Sequence, residues 1–190
     1  MKRSYAAEMM DEPNPPAELL IDDLRNLRVI NRWLGNYRNI LRGLKQVVGE
    51  QKNFSLLDVG TGSGILAILA VKLGCASAIG TENDDVALPS ARDNVVLNGV
   101  QDRVEMQLLP DPALLAPATF ALVVANIISA VLVPMRDALV GRMAPGGTLV
   151  LSGILAREVE EVRDWYLEAG LTLVNAATQG DWASLTLTTA

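Results

Sequence analysis

Residues 56 to 64 read Leu-Leu-Asp-Val-Gly-Thr-Gly-Ser-Gly, and a carboxylate, Glu82, follows eighteen residues after the last of these glycines. An apolar run that meets Gly60, Gly62 and Gly64 at alternate positions has the make-up of a buried parallel strand whose turn must let backbone approach a ligand before a helix begins. An acid about twenty residues further on, at the end of the next strand, is placed to accept hydrogen bonds from both hydroxyls of a ribose. Residue type and spacing together point to a bound nucleoside. A third polar group, Asn126, follows the apolar segment Ala121-Leu-Val-Val-Ala125. An amide there is costly unless it is hydrogen-bonded. Two readings of it stand: a group that binds and orients a reactant, or the N-cap of the next helix.

Spacing separates the nucleotide-binding patterns that compete for the glycine turn. The phosphate-binding P-loop needs Gly-Lys-Ser/Thr, and no lysine follows these glycines. The dinucleotide fingerprint needs its third glycine three positions after the second, where this chain has Ile65, so a nicotinamide-dependent oxidoreductase is disfavoured. What remains is Gly-x-Gly-x-Gly with Asp58 just ahead of it.

The elements that must position these groups follow from hydrophobic periodicity. Strands are expected at 54–59, 77–82, 103–108, 119–125 and 147–153, with helices at 64–74, 85–98, 127–142 and 156–170 between or after them. Two last strands, near 171–177 and 183–188, have no helix between them. This alternation predicts an α/β fold, a doubly wound, mostly parallel sheet covered on both faces and closed by an antiparallel hairpin. Ligands of such sheets bind beyond the carboxyl ends of the strands, where Gly60, Glu82 and Asn126 all fall. Ahead of this body, residues 1–16 carry Pro13, Pro15 and Pro16 and read as a flexible arm. Leu20, Leu24, Leu27, Ile30 and Leu34 then recur at helical spacing, so 17–34 reads as an amphipathic helix, with a second helix at 37–48. The domain division is therefore an arm at 1–16, a helical lead-in or lid at 17–50 and a ligand-binding body at 51–190.

Composition narrows the chemistry. The chain has 190 residues, half of them hydrophobic and a fifth charged, enough for one domain with a full core. It has no histidine, so any reaction here runs without imidazole as base or metal ligand. A single cysteine, Cys75, excludes an internal disulfide and a cysteine zinc site, which favours a reducing, cytoplasmic setting. No charged residue lies between Asp111 and Arg136, but Pro112, Pro117, Pro134 and Asn126 divide that stretch into loop, strand and helix and argue against a membrane span. Residues 25–52 hold seven basic side chains against Glu50 alone, whereas 53–190 hold seven basic and fifteen acidic ones. A basic lead-in can attract RNA or lie against an acidic body. With only Trp33 and Tyr37 available for base stacking, the second reading is favoured over a nucleic-acid partner.

The glycine pattern, Asp58 and the closing strand pair resemble motif I and the fold of class I methyltransferases that use S-adenosyl-L-methionine. From Leu57 to 190 the resemblance is closer. Asp58-Val-Gly-Thr-Gly-Ser-Gly-Ile-Leu-Ala-Ile-Leu-Ala70, Gly80-Thr-Glu-Asn-Asp84, Ala91-Arg-Asp-Asn94, Leu97-Asn-Gly-Val100, Val124-Ala-Asn-Ile127 and Leu151-Ser-Gly-Ile-Leu155 are similar to the catalytic domain of the bacterial methyltransferases that modify the eleventh protein of the large ribosomal subunit. That resemblance implies a Rossmann-like fold and a methyl group passed to an amine. It places Gly60 along the methionine part of the cofactor, Glu82 at the ribose and Asn126 at the methyl-transfer site. Asp58, Thr61, Gly62, Gly64 and Asn83 complete the implied cofactor-binding set.

The residue chemistry agrees with these roles. Backbone amides of the turn and the following helix N-terminus suit the cofactor's carboxylate. Asp58, or a water it holds, suits the ammonium group, or else it is a polar strand end that caps the turn. The Asn126 oxygen suits an amine nucleophile, pointing the lone pair at the methyl carbon. Glu82 stands where the family usually has aspartate. Asp111 is an adenine contact or a plain Pro-Asp-Pro turn.

Two departures bear on the acceptor. The separate N-terminal recognition domain of those enzymes and their Gly-x-His-Pro-Thr-Thr loop are absent, while residues 18–48 look similar to the helical lead-in of bacterial methyltransferases acting on small molecules. The chain thus reads as a mosaic, natural or engineered, whose lead-in helices fold over the cleft. The acceptor is expected to be a protein amine, a ribosomal protein among the candidates, or a small molecule. The alternative is an accessory protein that binds S-adenosylmethionine without turnover.

Overall fold

The computed structural model describes residues 54–109, 111–116 and 118–189. The arm and lead-in expected over 1–50 lie outside these residues. In chain order the elements are β1 (Ser55–Val59), α1 (Ile65–Lys72), β2 (Ser77–Glu82), α2 (Ala87–Leu97), β3 (Val104–Leu108), β4 (Phe120–Asn126), α3 (Ser129–Leu132), α4 (Arg136–Val140), β5 (Met143–Leu155), α5 (Val159–Glu168), β6 (Thr172–Gln179) and β7 (Trp182–Thr188).

The strands form one seven-stranded sheet in the order β3-β2-β1-β4-β5-β7-β6. The five from β3 to β5 are parallel, and β7 pairs antiparallel with both β5 and β6. This is the expected doubly wound sheet with its closing hairpin. The chain turns between β6 and β7 through Gly180 and Asp181, with Gly180 at φ 58°, as a two-residue hairpin requires.

Side chains alternate across the central strands and divide the core in two. Leu56, Ala78, Leu122, Val124 and Val150 face α1 and α2. Leu57, Val123, Ala125, Leu149 and Leu151 face the side closed by Leu132, Leu139, Val162 and Tyr166 from α3, α4 and α5. Burial on both faces is why these strands read as unbroken apolar runs rather than alternating ones. Tyr166 is fully buried, and its hydroxyl donates to Leu132 O at 2.8 Å. Trp165 Nε1 donates to Val133 O at 3.0 Å and carries the Arg136 guanidinium 4.6 Å from its ring centroid, so α5 ties down the end of α3.

Three elements differ from expectation. The single helix expected over 127–142 is two short ones, broken where Pro134 lacks an N–H and its ring would clash with the preceding turn. β5 starts at Met143 rather than 147, because Ala144-Pro-Gly-Gly147 bulges out of a ladder that already pairs Met143 with Phe120. β6 runs to Gln179 and is exposed along most of its length, as befits the sheet's edge. Among the described residues no helix is long and apolar enough to cross a membrane.

Candidate functional site

β1 delivers the glycine turn to the carboxyl edge of the sheet. Gly60 N and Thr61 N both donate to Thr81 O on β2, at 2.9 and 3.0 Å, and Gly64 N closes the turn onto Thr61 O at 2.9 Å. The three glycines have φ of 67°, 53° and 78°, the left-handed region that other residues enter only with strain. Their surroundings differ. A Cβ on Gly60 would stand 2.7 Å from Ile127 Cγ2, and one on Gly64 2.7 Å from Met106 Cε, so a side chain at either would displace a neighbouring methyl as well as strain the backbone. Around Gly62 no heavy atom lies within 4 Å of such a Cβ, which leaves open space above the middle of the turn.

Glu82 ends β2 and is buried under that turn. Its Oε2 accepts from Gly62 N at 2.7 Å, and its Oε1 accepts from Asn83 N at 2.9 Å and Asp84 N at 3.3 Å. The Asn83 side chain itself is exposed.

Asp58 lies one layer deeper, with no exposed surface. Its Oδ2 accepts from Thr61 Oγ1 at 2.7 Å and from Ala67 N at 3.3 Å, the latter in the first turn of α1. Its Oδ1 is buried without a partner among the described residues. Burial pushes the carboxyl up from 3.8 to about 6; the Thr61 and Ala67 hydrogen bonds oppose the rise, and the Glu82 charge adds to it. Thr61 is thus turned inward onto Asp58.

Asn126 is the last residue of β4, two strands from Glu82 in the sheet order. The registers place Asp58 beside Gly80 and Val124, so Gly60, two residues on, stands between Glu82 and Asn126. By alternation Glu82 and Asn126 point to the α1 and α2 side, as Asp58 does. At about 4.8 Å per strand, Glu82 and Asn126 are roughly 10 Å apart with the glycine turn between them. Asn126 does not cap the following helix, whose N-cap is Ile128 without a side-chain bond, and its own side chain is exposed. Asp111, past the end of β3, is exposed, and its carboxylate accepts from Ala113 N at 2.8 Å.

The sequence comparisons extend this geometry. The family profile for ribosomal protein L11 methyltransferase (PrmA) matches residues 38–190. The chain belongs to the ribosomal protein L11 methyltransferase family. The L11 methyltransferase of Geobacter metallireducens is 44% identical over 130 residues, 68% of this chain and 42% of that protein. The one from Chromohalobacter salexigens is 46% identical over 131 residues, 69% of this chain and 43% of that protein. The match spans less than half the length of either relative. A ribosomal protein L11 methylase structure from Lactobacillus delbrueckii subsp. bulgaricus superposes with a TM-score of 0.75 at 28% identity, covering 80% of this chain and 78% of that one. An O-methyltransferase family protein from Burkholderia thailandensis shares the fold at a TM-score of 0.68 and 12% identity, over 82% of this chain and 56% of that one.

The L11 methyltransferase match begins at residue 38, so it reaches back into the 37–48 segment, ahead of the resemblance read from Leu57. Two residues that sequence reasoning did not single out for a role tie down the glycine turn and the β3–β4 connection. Asn94, nearly buried on α2, donates from Nδ2 to Ser63 O at 2.9 Å and so pins the turn from the side. An asparagine among Ala91, Val95 and Val96 was the available signal. Arg142, ahead of β5, donates from Nε to Pro112 O at 3.1 Å and from Nη2 to Ala113 O at 2.7 Å. Its Nη1 reaches Ala116 O at 3.3 Å and Ala118 O at 3.5 Å, so one side chain shapes the β3–β4 connection. Nothing in the sequence pattern marks a guanidinium for four carbonyls.

Proposed function

We propose that this chain is an S-adenosyl-L-methionine-dependent methyltransferase acting on a protein amine, with ribosomal protein L11 the first acceptor to test. The observation that carries the reading is the alignment of Glu82, the Gly60–Gly64 turn and Asn126 along one face of the sheet's carboxyl edge. Family membership supports it.

The residues present fit the cofactor. Open space above Gly62 admits a ligand against the backbone, and the unpartnered Oδ1 of Asp58 is a buried acceptor that an ammonium group would satisfy. Glu82 would hold the ribose hydroxyls, and the backbone of Gly60 to Gly64 at the start of α1 would hold the carboxylate. In this reading Thr61 orients Asp58, and Asn83 borders the cleft beside Glu82. When bound, the cofactor supplies a methyl group on a sulfonium, whose leaving group is already good.

What the chain must add is alignment. Asn126, with an amide that caps no helix, would accept a hydrogen bond from the acceptor nitrogen through Oδ1 and aim its lone pair. The acceptor amine arrives neutral, its proton lost to water, so the lack of histidine is no obstacle. A ribosomal-protein acceptor would set the reaction in the cytoplasm.

The test is calorimetry with S-adenosylmethionine and its demethylated product, beside a radiolabelled methyl assay on purified L11 and on lysate small molecules. Binding with label on L11 supports the reading. Binding with label on small molecules alone moves the acceptor class, and binding with no label on any acceptor favours a non-catalytic binder.

A further inference from the structure

The far side of Asn126 is built by β5, in a way that ordinary sheet packing does not need. Asn126 pairs with Ser152, the last pair of the β4–β5 ladder. Immediately after it, β5 bulges. Its pairing with β7 jumps from Leu151–Leu185 to Ile154–Ala183, so β5 advances three residues while β7 advances two. The unpaired stretch is Ser152 and Gly153, and Gly153 has φ 78°. Bulges of this kind re-aim side chains at the rims of sheets.

Gly153 lies directly against the peptide that follows Asn126. A Cβ on it would stand 2.9 Å from Ile127 O and 3.1 Å from Ile127 C and N. These are backbone atoms with nowhere to swing. On the other side of Ile127, its Cγ2 fills the space that a Cβ on Gly60 would take. Two left-handed glycines, one from motif I and one from β5, thus pinch the residue after Asn126 from opposite sides.

Ser152 adds a second observation. It is fully buried, and its Oγ has no hydrogen-bond partner among the described residues. A buried hydroxyl without a partner costs stability. By ladder register and alternation it stands on the same face as the Asn126 side chain, one strand away, and the two side chains are not hydrogen-bonded in this structure.

We propose that Ser152 and Gly153, the bulged tip of β5, are positioning residues for Asn126: Gly153 fixes its backbone, and the exposed amide turns inward so that the Ser152 hydroxyl accepts from its Nδ2. That bond leaves Oδ1 facing the cleft, the orientation an incoming amine requires. An amide free to flip would present its NH2 half the time, and two donors would then face each other. The proposal rests on the reading of Asn126 as the residue at the methyl-transfer site.

The test uses the full chain and the variants Ser152→Ala, Gly153→Ala and Asn126→Asp. Nitrogen-15 spectra give the Asn126 side-chain NH2 pair, assigned by its loss in Asn126→Asp. Calorimetry gives the S-adenosylmethionine Kd, thermal unfolding gives Tm, and kcat is measured on L11. In Ser152→Ala the expected result is a Tm unchanged or slightly lowered, a Kd within about twofold, an NH2 pair moved towards solvent-exposed values and a kcat lower by roughly five- to tenfold, the worth of one net hydrogen bond. In Gly153→Ala the NH2 pair also moves. Adding Ile127→Ala does not restore it, because the clash is with backbone, whereas the same change relieves the side-chain clash in Gly60→Ala. An NH2 pair unmoved in Ser152→Ala overturns the proposal, as does a raised Tm with unchanged kcat. Failure of the wild-type chain to bind cofactor or to methylate L11 would instead refute the proposed function, and the spectra would still decide the Ser152 contact.

Discussion

In the proposed reading, the buried carboxyl of Asp58 makes cofactor affinity depend on pH in a direction that can be worked out beforehand. In the unliganded protein burial raises its pKa from 3.8 to about 6, against the pull of the Thr61 and Ala67 hydrogen bonds. At pH 7 it is then roughly nine-tenths ionised and at pH 5 roughly one-tenth. A ligand ammonium paired with the buried Oδ1 favours the ionised form, so binding at pH 5 must first expel a proton. The expected result is S-adenosylmethionine affinity about tenfold weaker at pH 5 than at pH 7. Titration in buffers of different ionisation enthalpy should show nearly one proton released at pH 5 and almost none at pH 7. Asp58→Asn should bind more weakly at pH 7 and lose the slope. The same group acts on folding with the opposite preference. Because its folded pKa lies above the unfolded value, the unliganded fold gains stability from Asp58 below pH 4. That gain, about 3 kcal/mol for a shift of this size, is lost as pH rises through 6. Affinity that stays flat from pH 5 to 7 in the wild-type chain would refute the contact between Asp58 and the ammonium group.

Other outcomes follow from particular contacts. Asn94→Ala removes the bond to Ser63 O and should cost about 1 kcal/mol in denaturant unfolding. It should also weaken cofactor binding, since the turn loses its side support. Arg142→Met releases four carbonyls and should raise hydrogen exchange across 111–116 while leaving the exchange of β1 and β4 unchanged. Deleting residues 1–36 should weaken S-adenosylmethionine binding by roughly tenfold if the lead-in covers about 60 Å² of apolar ligand surface, at about 25 cal/mol per Å². Unchanged affinity would remove the lid role.

Much of this site was legible because its parts sit where period and punctuation are strong. The Gly-x-Gly-x-Gly turn announces itself through residues that only a left-handed backbone needs, and Glu82 and Asn126 end apolar runs whose lengths fix the strand ends. The helix after β4 was overextended because apolar periodicity continues through Pro134, and the proline's missing N–H decided the matter. The start of β5 was misplaced because Pro145, Gly146 and Gly147 read as a turn, while the chain bulges and keeps its register with Phe120. The roles of Asn94, Arg142 and the Ser152–Gly153 bulge depend on which carbonyl or peptide lies across the gap. Such contacts join residues about 25 or 30 apart and leave no periodic trace.

Glu82 shows how far residue type alone can be taken. Its position was read as a ribose acceptor, with a methylene more than the usual aspartate, and the structure shows where that reach goes. Three backbone amides already donate to its two oxygens. A carboxylate offers about four acceptor sites, so two ribose hydroxyls would bring the demand to five. One amide must therefore let go or share when a nucleoside binds. The longest of the three bonds, 3.3 Å from Asp84 N, is the one with least to lose, and it lies at the start of the loop leading to α2. The bond from Gly62 N, at 2.7 Å, links the acid to the glycine turn itself. On this count Glu82 braces the turn and, in the proposed reading, would also receive the ribose, and its exchange of partners at Asp84 would pass a signal of occupancy to the β2–α2 loop.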